Sequence, residues 1–319
     1  MENFYAPLAG STKRASRIFL GTASLPYTAG KEQNRLLDAM YEAGINAVDT
    51  ARVYSDAEKC IGKWLASRKN RDKIYLTTKC AHPSPLGEKR VSEREIRNDL
   101  EISLSNLCTD HLDCLLLHRD DESVAAGEIA ELFNRLIAEG KILSYGVSNW
   151  RHERIIEVNG YAAEHNLQGI AISSPHFGLA EQVEDPWGGN CVTVTGKDNK
   201  AAREWYRKTQ MPLLAYSSLG RGLFSGKAHT QEELLASMDK FARRGYACAE
   251  NFERVRRCEL LAKEKDATVA QIALAWLFCC GLNTFAVTGT SSAERMKENI
   301  AAFSLKLTQE ECNFLNLEE

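Results

Sequence analysis

Eight short apolar runs punctuate the chain, at 17–21, 45–48, 73–79, 112–118, 142–147, 169–173, 211–216 and 284–287. Helical patterns lie between them. Residues 31–42 carry Leu36, Leu37 and Met40 at helical spacing with Gly44 just beyond, and 56–67 set Ile61, Trp64 and Leu65 on one side. Ser92 and Glu95 read as a capping box ahead of Ile96, Leu100, Leu104 and Leu107 on one face. A further helix over 125–139 stops at Gly140, another starts at Arg151, and Thr268 is placed to cap 268–280. Strands that alternate with helices pair in parallel through right-handed crossovers. Eight such units closing on themselves make an α/β fold, the (β/α)8 TIM barrel, expected here as a single domain over 1–319.

Two stretches exceed that alternation. Residues 181–200, with Asp185-Pro186-Trp187-Gly188-Gly189, read as a loop after the sixth strand, and 222–246 as a polar, partly helical insertion after the seventh. Both follow strands, which puts them on the C-terminal face where such barrels build their sites and lids.

Composition excludes several function classes. The chain is 44% hydrophobic and 26% charged with a net charge of −3, an ordinary globular balance that calls for neither nucleic acid nor an anionic membrane. No apolar stretch reaches the ~20 residues of a membrane span. Ten cysteines occur without a C-x-x-C pair or zinc spacing, so no metal site is expected, and Cys279-Cys280 reads as packing. With no basic-then-apolar start, these thiols point to a reducing cytoplasm.

Three of the apolar runs end on chemistry. The run through Val48 ends on Asp49, with Tyr54 one short loop later; the next ends on Lys79, and Leu112-Asp113-Cys114-Leu115-Leu116-Leu117 ends on His118. A barrel brings such strand ends to one mouth. A phenol holds its proton until pH ~10, and a neighbouring ammonium lowers that value by favouring the phenolate. A carboxylate keeps the lysine charged, and an imidazole can polarise a carbonyl. Together they suit protonation of an oxygen that turns negative as hydride reaches the carbonyl carbon.

These residues resemble the catalytic tetrad of the aldo-keto reductase family. Gly146-Val147-Ser148-Asn149, the run from Ala215 to Gly222, and the run from Gly289 to Asn299 are similar to further family motifs in the same order, so the likeness covers nearly the whole chain. The resemblance implies reduction of an aldehyde or ketone by NADPH, with NADH possible in principle, Tyr54 as general acid, Lys79 and Asp49 tuning it, and His118 orienting the carbonyl. It implies that Gly21 and Thr22 belong to the cofactor loops, that Ser148, Asn149 and Ser174 meet the nicotinamide carboxamide, and that Tyr216 stacks on its ring. Ser217, Leu219 and Gly220 would cradle the pyrophosphate, Gly289, Thr290 and Arg295 the adenosine 2′-phosphate, and Glu298 and Asn299 the adenine. Ser174 stands where many members carry glutamine, and Gly289-Thr290 where long-tailed members carry lysine and serine. The chain ends soon after a helix at Thr308, without their long C-terminal tail.

Taken singly, each residue has a plain structural reading: Asp49 a loop-capping carboxylate, Lys79 a solvated edge residue, His118 a core histidine, Tyr54 a rim aromatic. Arg295 and Lys297 also fit an ordinary solvated helix face. Gly220-Arg221-Gly222-Leu223-Phe224-Ser225-Gly226 misses the dinucleotide fingerprint by one residue of spacing and reads as a barrel loop. His82, Trp150 and Trp187 are expected at the mouth as substrate contacts. With Arg52, Arg119 and His176 they hint at a polar, sugar-derived or anionic carbonyl compound. Two other functions fit the same residues: a Schiff-base aldolase using Lys79, and a cofactor-sensing regulatory subunit with little turnover.

Overall fold

The computed structural model describes residues 3–318. Ten strands occur among them. A short antiparallel hairpin, β1 (Tyr5–Pro7) and β2 (Arg14–Ser16), precedes the eight that form one closed barrel: β3 (Ile18–Gly21), β4 (Ala47–Asp49), β5 (Tyr75–Cys80), β6 (Cys114–Leu117), β7 (Tyr145–Ser148), β8 (Ile172–Ser174), β9 (Leu213–Ala215) and β10 (Thr284–Thr288). Their order, β10-β3-β4-β5-β6-β7-β8-β9, is that of the expected (β/α)8 barrel. Burial on both faces explains why the strands read as continuous apolar runs: every residue of β5, β6 and β7 is buried. The hairpin carries no apolar periodicity long enough to show in the sequence.

Two compact units divide the chain. One holds Tyr5–Ser174 with Gly289–Ala293, and the other, of the described residues, 3–4, 175–288 and 294–318. In the first, α1 (Asn34–Glu42), α2 (Ala57–Arg68), α3 (Glu93–Asn106), α4 (Ala126–Ala138) and α5 (His152–Glu164) follow successive strands. Helix α4 shows the logic: Ile129, Leu132, Phe133 and Leu136 recur at three- and four-residue spacing and are buried. The box at α3 forms by half, since Ser92 accepts from the Glu95 amide while the Glu95 carboxylate turns to Arg90. The stronger guanidinium partner outcompetes the backbone amide.

One ionic hub lies at the start of β6. The buried Asp113 carboxylate accepts from Lys13 Nζ at 2.8 Å, Arg71 Nη1 at 2.8 Å and the Leu76 amide at 3.0 Å, tying the hairpin turn to two barrel strands. Asp113→Ala leaves both cations without that anion and is expected to cost roughly 3 kcal/mol, read as a lower urea midpoint. An unchanged midpoint would show the hub to be dispensable.

In the second unit lie α6 (Lys200–Thr209), α7 (Gln231–Ser237), α8 (Lys240–Tyr246), α9 (Ala249–Glu264), α10 (Val269–Cys279), α11 (Ala293–Ala301, whose first residue belongs to the first unit) and α12 (Gln309–Asn316). Thr268 and Gln271 make a complete capping box for α10. The 222–246 insertion contains α7 and α8. The 181–200 segment is an ordered loop built on Asp185, whose carboxylate accepts from the amides of Trp187, Gly189 and Cys191, each at 2.9 Å. All ten cysteines are free. Among the described residues no helix is long and apolar enough to cross a membrane, and no group of three His, Cys, Asp or Glu side chains is arranged to hold a metal ion.

Candidate active site

Strand register assembles the three strand-end residues within the first unit, and a loop adds Tyr54. Asp49 pairs with Thr77 across β4–β5, so Lys79 lies one same-face step further along β5. Lys79 in turn pairs with Leu116 across β5–β6, and His118 lies one such step beyond it, its amide donating to the Cys80 carbonyl at 3.0 Å. Each strand thus carries its polar group one step further than its neighbour. Asp49 and Lys79 are each 4% exposed and His118 is 6% exposed. Lys79 Nζ donates to Asp49 Oδ1 at 2.6 Å and to the Thr50 carbonyl at 3.0 Å. Tyr54 sits on a turn closed by its own amide and that of Ala57. Its ring centroid lies 5.2 Å from Lys79 Nζ and 5.9 Å from the His118 ring, edge-on to the latter.

The electrostatics follow from burial first. Desolvation raises the Tyr54 phenol above its ordinary pKa. Lys79 pulls it down and Asp49 pushes it up, so the expected lowering by Lys79 operates but does not prevail. Burial works against the Lys79 charge too, yet Asp49 and Tyr54 outweigh it and hold the ammonium above its usual range. His118 is driven well below the ordinary imidazole value by burial, then by Lys79, Arg119 and His82. It is neutral at pH 7. Its Nδ1 has no hydrogen-bond partner, which places the proton on Nε2, since an unpaired buried N–H is worse than an unpaired lone pair.

Around this cluster, Gly21 pairs with Asp49, and the Thr22 amide and hydroxyl both donate to the Asp49 carbonyl at 3.1 Å. Ser148 pairs with Ser174 and donates to its carbonyl at 3.0 Å. Asn149, left-handed at φ 59°, donates from Nδ2 to the Ser148 hydroxyl at 3.0 Å. Those three therefore form one network. Gly289 lies so near Gly21 that a Cβ on it would stand 3.3 Å from the Gly21 carbonyl oxygen, and the Thr290 carbonyl accepts from the buried Tyr27 hydroxyl at 2.8 Å.

In the second unit, Tyr216 directly follows β9 and is part-exposed. The backbone then turns left-handed at Ser217, Gly220, Arg221 and Gly222, with Leu219 between them. Within this turn the Gly220 amide donates to the Ser217 carbonyl at 2.8 Å and the Gly222 amide to the Leu219 carbonyl at 3.2 Å. Arg295 lies exposed in the first turn of α11, Glu298 is exposed one turn on, and Asn299 is buried.

The sequence model of the aldo/keto reductase family matches residues 17–316. The chain belongs to that family. Norsolorinic acid reductase of Aspergillus flavus is 28% identical over 290 residues, covering 86% of this chain and 68% of its own length. Aldo-keto reductase str7 of Strobilurus tenacellus is 29% identical over 293 residues, 88% of this chain and 79% of its own. Putative aryl-alcohol dehydrogenase AAD14 of Saccharomyces cerevisiae is 30% identical over 327 residues, 95% and 82% respectively. The chain is an oxidoreductase of this family, whose named relatives include reductases and dehydrogenases.

The aldo/keto reductase structure corrects two expectations about its mouth. Trp150 is 1% exposed, enclosed against the Arg154 guanidinium at 5.5 Å, and offers no surface to a substrate. His176 is fully buried, its Nδ1 at 2.9 Å from the Thr193 hydroxyl, and burial lowers its pKa to about 3. Both were expected at the mouth, and both are buried. Trp187 is 39% exposed and stands 6.1 Å from the Tyr216 ring and 6.3 Å from Phe241. Arg221 lies over Trp187 at 5.4 Å while pairing with Asp239 at 2.8 Å, so the 181–200 loop and the 222–246 insertion are clasped together. His82 is half-buried with its ring centroid 4.7 Å from that of His118, a contact with no periodic signal in the sequence.

Proposed function

We propose that this chain reduces an aldehyde or ketone to an alcohol with NADPH, residues 1–319 acting as one barrel domain. The observation that carries the reading is the buried Asp49–Lys79 pair at 2.6 Å set beside Tyr54 and His118. A bound nicotinamide cofactor supplies the hydride. Tyr54 and the Nε2–H of neutral His118 hold the carbonyl oxygen, and Tyr54 gives up its hydroxyl proton as charge develops there. Lys79, kept charged by Asp49, stabilises the phenolate that remains. Ser148, Asn149 and Ser174 orient the carboxamide, Tyr216 packs against the ring, and Ser217, Leu219 and Gly220 hold the pyrophosphate. Gly21 and Thr22 shape the adjoining turn. Gly289, Thr290 and Arg295 take the 2′-phosphate, with Glu298 and Asn299 at the adenine.

Arg295 is the basis for preferring NADPH, because a guanidinium can donate two parallel hydrogen bonds to a phosphate. Arg295→Ala is expected to weaken NADPH by about 10- to 100-fold and NADH by less than about twofold. Equal losses would move the phosphate elsewhere. The Schiff-base alternative is disfavoured by the raised pKa of Lys79, since an amine nucleophile needs to be neutral.

The five tryptophans make titration with NADPH and NADH by intrinsic fluorescence the direct test, followed by NADPH consumption with a panel of aldehydes and ketones. NADPH-preferring binding with turnover supports the reading. Binding without turnover on any carbonyl favours the cofactor-sensing role, and binding of neither cofactor by folded protein sinks both.

A further inference from the structure

Tyr27 lies on the connection between β3 and α1, yet it is fully buried. Its amide donates to the Ser24 carbonyl at 3.1 Å, closing a turn just beyond the strand. Its hydroxyl donates to the Thr290 carbonyl at 2.8 Å, across 263 positions of sequence. Burial raises the pKa of this phenol, so the donor keeps its proton through the neutral range. Thr290 belongs to the segment Gly289–Ala293, which groups with the first unit, as Tyr27 does. A Cβ on Gly289 would stand 3.3 Å from the Gly21 carbonyl oxygen and 3.6 Å from Ser24 Oγ. The backbone leading into Thr290 therefore lies against the same loop that carries Tyr27.

The bond fixes which way the peptide between Thr290 and Ser291 faces. That peptide is trans, so its oxygen and its N–H point in opposite directions. The oxygen is held at the buried Tyr27, and the Ser291 N–H is consequently turned away from it. Ser291 is exposed, and its amide makes no hydrogen bond among the described residues. The Thr290 hydroxyl accepts from the Ser292 amide at 3.1 Å, which holds the turn in this arrangement. A phosphate offers only acceptor oxygens and negative charge, so it needs the N–H and is repelled by a carbonyl in the same place. A ribose hydroxyl both donates and accepts, and it tolerates either edge of the peptide.

We propose that Tyr27 is a positioning residue for cofactor choice: by holding the Thr290 carbonyl inward it leaves the Ser291 N–H for the adenosine 2′-phosphate, and so favours NADPH over NADH. The assignment rests on the reading above that Gly289 and Thr290 meet that phosphate. A purely structural Tyr27 would brace the two loops and affect both cofactors alike.

Tyr27→Phe keeps the buried ring and removes the one donor. Dissociation constants for NADPH and NADH, from intrinsic fluorescence, are the readout, with the urea midpoint measured beside them. NADPH is expected to weaken by about tenfold, the worth of one hydrogen bond to a charged group, while NADH changes by less than about twofold. Ser291→Pro deletes the N–H at an exposed position and leaves Tyr27 untouched, and it should produce the same split. An NADPH-to-NADH ratio in either variant equal to that of the wild type, or equal losses on both cofactors, would overturn the assignment and leave the reductase reading in place. A wild type that binds NADH as tightly as NADPH would overturn the 2′-phosphate contacts and the assignment with them. Binding of neither cofactor by folded wild type would overturn the reductase reading itself.

Discussion

Tyr54→Phe is expected to lower kcat for carbonyl reduction by about 10²–10⁴-fold with little change in cofactor affinity. The substitution deletes one oxygen and keeps the ring that lies edge-on to His118, so packing survives and only the proposed proton donor is lost. In the proposed mechanism neutral His118 cannot take over the role, because a buried imidazole so far below its ordinary pKa has only its hydrogen bond to offer. The pH dependence carries a sign. Desolvation holds the phenol above its ordinary value of 10.0 despite the pull of Lys79, so the proton is present throughout the neutral range. Reduction should be insensitive to Tyr54 ionisation below that value and fall as the pH rises through the elevated pKa. Alcohol oxidation, which needs the phenolate as base, should rise over the same window. Steady-state rates in both directions across alkaline pH check this; undiminished reduction by the variant would assign the proton to another group.

The second large effect concerns the pair beneath that phenol. Lys79→Met leaves the Asp49 carboxylate buried without its partner at 2.6 Å, and the Thr50 carbonyl loses a donor. Removing one member of a buried ion pair costs about 3–5 kcal/mol, mostly through the charge left behind. The double variant Lys79→Met with Asp49→Leu removes both charges and should regain most of that stability without regaining turnover. Urea midpoints of the single and double variants decide the matter: equal destabilisation would show that the pair is not what holds these strand ends. In the wild type the sign is set by Lys79. Burial lowers its pKa, Asp49 and Tyr54 raise it further, and the net value lies above the unfolded one. The contribution from the Lys79 charge is therefore present below its unfolded pKa of about 10.4 and is lost as pH rises through the folded value.

Much of this architecture is written in local pattern. Period-3.6 burial in α4, the Thr268 cap of α10 and the apolar runs of β5 and β6 follow from which side chains recur at which interval, and each formed within two residues of where periodicity puts it. The candidate site was legible to the same depth: Asp49, Lys79 and His118 stand at or just beyond strand ends, and the parallel barrel turns three distant positions into neighbours. Gly62 marks where such reading stops. A glycine inside α2 looks like a weak helix position, yet a Cβ there would lie 2.0 Å from the Asn106 carbonyl, so it is what lets α2 approach the end of α3.

The remaining features have the same origin. The first hairpin, the Asp113 hub, the burial of Trp150 and His176, the contact between His82 and His118, and the upward pKa of Tyr54 all depend on which distant segment covers a group. By itself the sequence determined the period of each element and the chemistry that ends it, because both depend on near neighbours along the chain. Only the tertiary structure decided how dry each polar group became, because desolvation is set by residues far away in sequence, and at Tyr54 it outweighs the neighbouring Lys79 charge.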